Sequence, residues 1–106
     1  MSDKELEQFF RNTCLGQRNA IAARNLETKL CMRAGDLRRR LNRLRRNAVP
    51  IASGSSGYYY ARTAHEVYDT IRQLRQMQIG LQQAISGLEE AMRSFGEKGE
   101  HGPRGN

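Results

Sequence analysis

Apolar residues return every three or four positions along several segments of the chain, which is the spacing of helices with one buried face. In the first such segment Leu6, Phe9 and Phe10 share a face, and residues 2–5 ahead of them match a capping box. The pattern predicts a short first helix that ends near Asn12.

A brief apolar stretch at residues 20–22 predicts an isolated strand between the first two helices. Residues 23–31 predict a second helix, because Leu26 and Leu30 lie four positions apart on one side of it. We interpret Cys31, at the end of this helix, as a small buried apolar residue.

The third predicted helix, residues 34–47, has the clearest pattern of the chain. Its apolar positions step by three and four residues and form one stripe of Ala34, Leu37, Leu41, Leu44 and Ala48. The opposite side holds Gly35, Arg39, Asn42 and Arg46, flanked by Arg38, Arg45 and Arg43. A helix of this kind can pack on a core through its leucines while it lies in a groove of DNA.

A β-hairpin is predicted directly after the third helix, which Pro50 prevents from continuing. Residues 49–52 and 58–61 predict its strands, and the Gly/Ser-rich residues 53–57 predict a five-residue tip. In the second strand, alternation turns Tyr59 away from its two tyrosine neighbours. We expect at least one of the three tyrosines in the core.

A second capping box, beginning at Thr63, predicts the start of a long final helix. From Val67 to Phe95 its apolar residues follow a seven-residue repeat, with Ile at position a and Leu at d favouring two-stranded pairing. Nothing else in the chain covers this seam, so we expect two copies to pair through it. The residues expected to pair are Leu74, Gln78, Leu81, Ile85, Leu88 and Met92. Position g adds Met77, Ala84 and Ala91. Parallel and antiparallel pairs are both open.

Positive charge is concentrated in the first part of the chain. The 106 residues contain 18 Lys and Arg against 11 Asp and Glu, a net charge of +7, and 15 of the bases are arginines. Residues 1–62 carry 13 bases and 5 acids, and residues 33–46 alone carry seven arginines with Asp36 as the one acid. A field this concentrated indicates a polyanionic partner, most commonly nucleic acid. The alternative is a solvated charged face, although such faces usually alternate in sign.

The run of residues 37–46, LRRRLNRLRR, is followed by VPIAS at 49–53 and GYY at 57–59. This run resembles the winged helix-turn-helix family, especially its bacterial and phage repressor-type members. The resemblance covers residues 3–67. It implies a supporting helix at 23–31, a recognition helix at 34–47 and a wing at 49–61. Cys31 and Met32 stand where many members have a glycine in the turn.

If the third helix enters the major groove, four side chains are best placed to contact base edges: Arg38, Arg39, Asn42 and Arg43. We expect Arg33, Arg45 and Arg46 to meet phosphates instead. Ser55 and Ser56 at the hairpin tip, and Arg62 after it, are further candidates for DNA contact. The alternative is that the hairpin only covers the core. Duplex DNA is favoured over RNA as the ligand.

Catalysis and cofactor binding have no support in the sequence. The histidines are His65 and His101, and neither Cys14 nor Cys31 has neighbours at metal-ligand spacing. No phosphate-binding glycine loop or nucleophile elbow is present. We therefore expect no enzyme activity, no cofactor and no metal. No apolar run is long enough for a membrane span or signal peptide, and two cysteines suit a cytoplasmic setting, in a host cell or on a nucleoid.

The predicted fold is mainly α-helical with a small β-hairpin wing and a long, coiled-coil-like C-terminal helix. Residues 1–67 would form the winged helix-turn-helix domain, 68–95 the dimerisation helix and 96–106 a disordered tail. The predicted function is sequence-specific binding of double-stranded DNA by a dimeric transcriptional regulator of phage or mobile-element type. The alternative is an adaptor or inhibitor that binds a protein or nucleoprotein partner.

Overall fold

A computed structural model describes residues 1–97 of the chain as mainly helical, with a small antiparallel sheet and a long C-terminal helix, in agreement with the sequence. The elements run in the order α1 (Asp3–Thr13), a 3₁₀ turn (Gln17–Asn19), α2 (Ala23–Leu30), α3 (Ala34–Arg46), β1 (Ile51–Gly54), β2 (Gly57–Tyr60) and α4 (Ala64–Glu97). The chain divides into two compact units, one of residues 1–71 and one that begins at Arg72.

Both predicted capping boxes are present. The Ser2 hydroxyl accepts from the Glu5 N–H at 3.1 Å, and the Glu5 carboxylate accepts from the Ser2 N–H at 2.7 Å. At α4 the Thr63 hydroxyl accepts from the Glu66 N–H at 3.2 Å. Glu66 also accepts from the N–H groups of Arg62 and, in the 3₁₀ turn, Gln17. The Glu66 carboxylate thus both caps α4 and ties the first turn of the helix to the 3₁₀ turn.

The core of this unit is built from one face of α1, α2, α3 and the hairpin, together with the residues directly after α1 and β2. The buried apolar side chains are Leu6, Phe10, Cys14, Leu26, Leu37, Leu41, Leu44, Ile51, Ala52, Tyr59 and Ala61. The predicted stripe of α3 is confirmed for its three leucines and wrong for Ala34 and Ala48, which are exposed. Ala48 lies beyond the helix end with a positive φ of 66°. Its side chain therefore leaves the helical face on which the sequence pattern placed it.

The hairpin forms, but its tip is shorter than predicted. Residues 51–54 pair with 57–60, from Ile51 opposite Tyr60 to Gly54 opposite Gly57, which leaves a two-residue turn of Ser55 and Ser56. The five-residue tip is wrong because small residues at 53, 54 and 57 do not prevent backbone pairing. Tyr59 is buried and its two tyrosine neighbours are half-buried, which confirms that at least one of the three lies in the core.

The predicted strand at residues 20–22 is reduced to a single bridge. Ile21 and Tyr58 exchange backbone hydrogen bonds of 2.9 Å in both directions. Gly57 lies against this bridge with φ of 123°, and a Cβ added to it would stand 2.2 Å from the Ile21 carbonyl oxygen. The close approach of the two backbones requires glycine at this position.

Cys31 is exposed, so its interpretation as a buried apolar residue is wrong. It caps α2 in the left-handed conformation, with φ of 53° and ψ of 47°. The next N–H, that of Met32, donates to the Glu27 carbonyl at 3.0 Å and turns the chain toward α3. A cysteine thus adopts the conformation for which glycine is the usual residue.

The C-terminal helix includes Gly96 and Glu97, which the sequence pattern assigns to the tail. The rest of the predicted disordered tail, residues 98–106, lies outside the described residues. Near its start α4 presents the buried Thr70, whose hydroxyl accepts from the Ser53 N–H of β1 at 3.1 Å. Thr70 therefore fixes the beginning of α4 to the hairpin.

Candidate nucleic-acid interface

The exposed face of α3 follows from the burial of its leucines. Because Leu37, Leu41 and Leu44 all point into the core, the residues on the opposite side of the helix must face outward. Five predicted site residues are exposed on this side of the helix: Arg38, Arg39, Asn42, Arg43 and Arg46. The helical pattern therefore located the basic surface, which we call the arginine face.

Two carboxylates lie against this surface. Arg39 forms an ion pair with Asp36, three residues earlier on α3, and the Arg39 side chain stays 72% exposed. Surface pairs of this kind contribute little, about 0–1 kcal/mol, and are screened by salt. Arg39 can therefore exchange Asp36 for another acceptor at small cost.

Asp3 makes a stronger set of contacts. One carboxylate oxygen accepts from Arg43 Nε at 2.6 Å and the other from Arg43 Nη2 at 2.9 Å, while Arg40 Nη2 donates at 3.1 Å. Arg40 also donates to the Met1 carbonyl at 2.5 Å. The hydrogen bonds from Arg43, followed by those from Arg40, hold the pKa of Asp3 well below its usual range. Asp3 is therefore ionised at neutral pH and offsets part of the charge of α3.

Arg45 lies between α3 and the hairpin. Its Nε donates to the Ile51 carbonyl at 2.8 Å, Nη2 lies 3.3 Å from the Ser53 hydroxyl, and the guanidinium stands 5.9 Å from the centre of the Tyr58 ring. Burial lowers the pKa of this guanidinium below its usual value. These contacts differ from the expectation that Arg45 meets phosphate. Its guanidinium joins the helix to β1.

Four predicted cations remain, of which Arg38 and Arg46 belong to the arginine face and Arg33 and Arg62 lie outside it. Arg33, Arg38, Arg46 and Arg62 are exposed, and none of them forms an ion pair within residues 1–97. Arg33 directly precedes α3, and Arg46 ends it. These four charges are available to an external anion.

The hairpin turn borders a second polar surface that the sequence pattern did not identify. Ser55 and Ser56 are both exposed, and Ser56 lines a shallow cleft with Asn25, Thr28 and Lys29 of α2. The three α2 residues follow the i, i+3, i+4 spacing of one helical face, and this spacing was the available signal. It was weak because a polar helix face is equally typical of plain solvent exposure.

The second unit, which begins at Arg72, exposes the apolar seam of α4 to solvent. Every side chain from 72 to 96 is exposed. Along the seam the exposed fractions are 38% for Leu74, 67% for Leu81, 49% for Ile85, 72% for Leu88, and 49% for both Met92 and Phe95. Ile79, at 51%, falls outside the stripe. A helix this apolar on one side has an unburied surface that a partner could cover.

Comparisons of the chain with models of protein families, with curated proteins and with solved structures find no match. Among the described residues, no helix has both the length and the apolar character needed to cross a membrane. Over the same residues, no three side chains of His, Cys, Asp or Glu come together in a group suited to a metal ion.

Proposed function

We propose that residues 1–71 are a winged helix-turn-helix domain that binds duplex DNA with α3 in the major groove. The observation that carries this proposal is the exposed arginine face, held in place by three buried leucines on the opposite side of the same helix. The order of elements supports it, because a helix pair joined by a tight turn is followed directly by a two-stranded hairpin. The protein would act as a dimeric transcriptional regulator of phage or mobile-element type.

Base contacts would come from the middle of the arginine face. An arginine can donate two hydrogen bonds to guanine, and an asparagine can pair in the same way with adenine, each worth about 1–3 kcal/mol of discrimination. Arg38, Arg39 and Asn42 have the exposure that such contacts require. Arg43 would share its charge between Asp3 and DNA, since its side chain remains 46% exposed.

Phosphate contacts would surround these base contacts. Arg33 and Arg46 lie at the two ends of α3, and Arg62 follows the hairpin. Lys29 would add a fourth cation beside the turn at Ser56. Such contacts give affinity and register without sequence information.

Dimerisation would use the exposed seam of α4. The seam is too apolar to remain in water without cost, and its seven-residue spacing fits a second helix of the same kind. Two DNA-binding units in a two-fold symmetric dimer recognise an inverted repeat.

The direct test is the binding of a labelled duplex by the parent protein, by Arg39→Ala and by Arg72→Ala. Arg72 is a matched control because it is an exposed arginine of the second unit. Losing Arg39 should weaken binding to the preferred site by about 1–3 kcal/mol, roughly five- to 150-fold, while Arg72→Ala changes it little. Equal affinity of all three proteins would reject the assignment of α3.

A second candidate function is that of an adaptor that binds a protein or nucleoprotein partner. The observation that favours it is the pairing of Arg39, Arg40 and Arg43 with Asp36 and Asp3, which leaves fewer cations for phosphate. The two functions differ in salt dependence. DNA binding should weaken with a log–log slope of about −0.9 per phosphate neutralised, whereas an adaptor would leave random duplex unbound at low salt.

A further inference from the structure

We propose that two copies of α4 pair in an antiparallel orientation, with Ile71 of one copy opposite the partner's Phe95. The inference rests on the dimer proposed above and specifies its geometry. Three features of α4 support this geometry: the extent of the exposed seam, two charged residues beside it and the sizes of the residues at position g.

The exposed seam has defined ends. Val67 packs against the core of the first unit, so it is not available, and the seam begins at Ile71. It ends at Phe95, which places its midpoint at Gln83. An antiparallel pair centred there matches every seam residue with another, including Leu74 with the partner's Met92 and Leu81 with the partner's Ile85. The one polar seam residue, Gln78, meets the partner's Leu88.

Charge complementarity favours the same register. Arg75 and Glu89 both occupy position e, on the same flank of the seam, and neither forms an ion pair within residues 1–97. In antiparallel coiled coils the e positions of the two helices face each other across the seam. The register centred on Gln83 sets Arg75 beside the partner's Glu89, and by symmetry forms this pair twice.

Side-chain size on the other flank is also complementary. Position g would bring Ala84 beside the partner's Ala84 at the centre and Met77 beside the partner's Ala91. The two alanines allow the helices to approach closely, and each alanine opposite a methionine accommodates the longer chain. The surface therefore offers both an attractive flank and a closely packed one.

A parallel pair lacks these features. Position g then faces position e of the next repeat, which sets Ala84 beside the partner's Glu89 and Met77 beside the partner's Gln82, with no ion pair. It also brings together the Ile71 ends of two seams, each preceded by residues 1–71 with 13 bases and 7 acids. Like charges at one end oppose association.

Distances between spin labels separate the two orientations. The labels would be attached to Gln83→Cys and, separately, to Ser94→Cys in full-length protein carrying Cys31→Ser, with the buried Cys14 left in place. In the antiparallel pair the two labels at 83 lie at one height, whereas those at 94 are 22 residues apart, about 33 Å along the axis. Similar short distances between the labels at both positions would overturn the antiparallel orientation but leave the proposed dimer in place. No dipolar coupling at either position would overturn the dimer as well.

Charge exchange gives an independent readout by sedimentation equilibrium. Arg75→Glu and Glu89→Arg should each weaken dimerisation by about tenfold, because each replaces two attractive pairs with two repulsive ones. The double variant restores both pairs with reversed sign and should return to within about twofold of the parent. A double variant as weak as the singles would contradict the register.

Discussion

Single residues decide how much of the charge of α3 is available to a ligand. The chain places Asp3, a residue from the first turn of α1, against Arg40 and Arg43 of α3. This contact offsets part of the positive charge of α3 and orients the Arg43 guanidinium. The net positive charge of the arginine face is therefore smaller than the count of arginines in residues 33–46 indicates.

Replacing Asp3 with Asn should raise the affinity for random-sequence duplex by about two- to fivefold at low salt, because it releases two guanidinium groups. Fluorescence anisotropy with a labelled duplex measures this effect. Glu7→Gln is the matched control, since it removes the same charge from α1 but leaves Asp3 in place; Glu7 pairs with Arg11. A lower affinity for Asp3→Asn than for the parent would mean that Asp3 positions Arg43 for binding.

The same substitution should change the acid sensitivity of the fold. The folded-state pKa of Asp3 is depressed, so its contribution to the free energy of unfolding is present above its usual value of about 3.9 and is lost as the pH falls toward the folded value. Urea unfolding measures the free energy of unfolding at pH 7 and at pH 3. The difference in this free energy between the parent and Asp3→Asn should be smaller at pH 3. A gap that widens at pH 3 would contradict this sign.

The sequence predicted which arginines face outward but not what they touch. Helical periodicity fixes the direction of Arg39 and Arg43 once the leucine stripe is identified. The Asp3 contact joins residues forty positions apart and depends on how α1 packs on α3. The contacts of Arg45 could not be predicted either, because a position beside the leucine stripe is compatible with a phosphate contact and with the observed hydrogen bond to Ile51.

Among the elements, the hairpin is held in part by backbone contacts that side-chain patterns do not encode. The single bridge between Ile21 and Tyr58 fixes the chain before α2 against β2, and Gly57 allows the approach. The sequence identified both strands and both capping boxes because each has a local signature. The sequence pattern overestimated the length of the hairpin tip, because glycine and serine are typical of turns and are also tolerated in short strands.

Gly57→Ala should destabilise the protein by about 2–4 kcal/mol, because a Cβ at positive φ would collide with the Ile21 carbonyl. Gly54→Ala is the matched control in the same hairpin, since the nearest atom to its Cβ is the end of the Gln17 side chain at 3.9 Å. It should change the free energy of unfolding by less than about 1 kcal/mol. Urea denaturation measures both, and equal losses would show that the close approach is unimportant.

In the whole molecule, the two units differ in charge and in how much apolar surface they bury. Residues 1–71 hold the buried core and the excess of positive charge, while residues 72–97 carry three bases, three acids and the apolar seam. The sequence placed such a boundary between residues 67 and 68, because charge and heptad spacing are both visible in the order of residues. It left the orientation of a helix pair open, since heptad spacing is the same in both directions.

Selection of bound sites from a random duplex pool shows whether the arginine face recognises a particular duplex sequence. We expect an enriched inverted repeat, with the preference at one position of each half-site lost by Arg39→Ala and kept by Arg72→Ala. A pool with no enrichment over its starting composition, from a folded and dimeric protein, would show that this face does not read sequence.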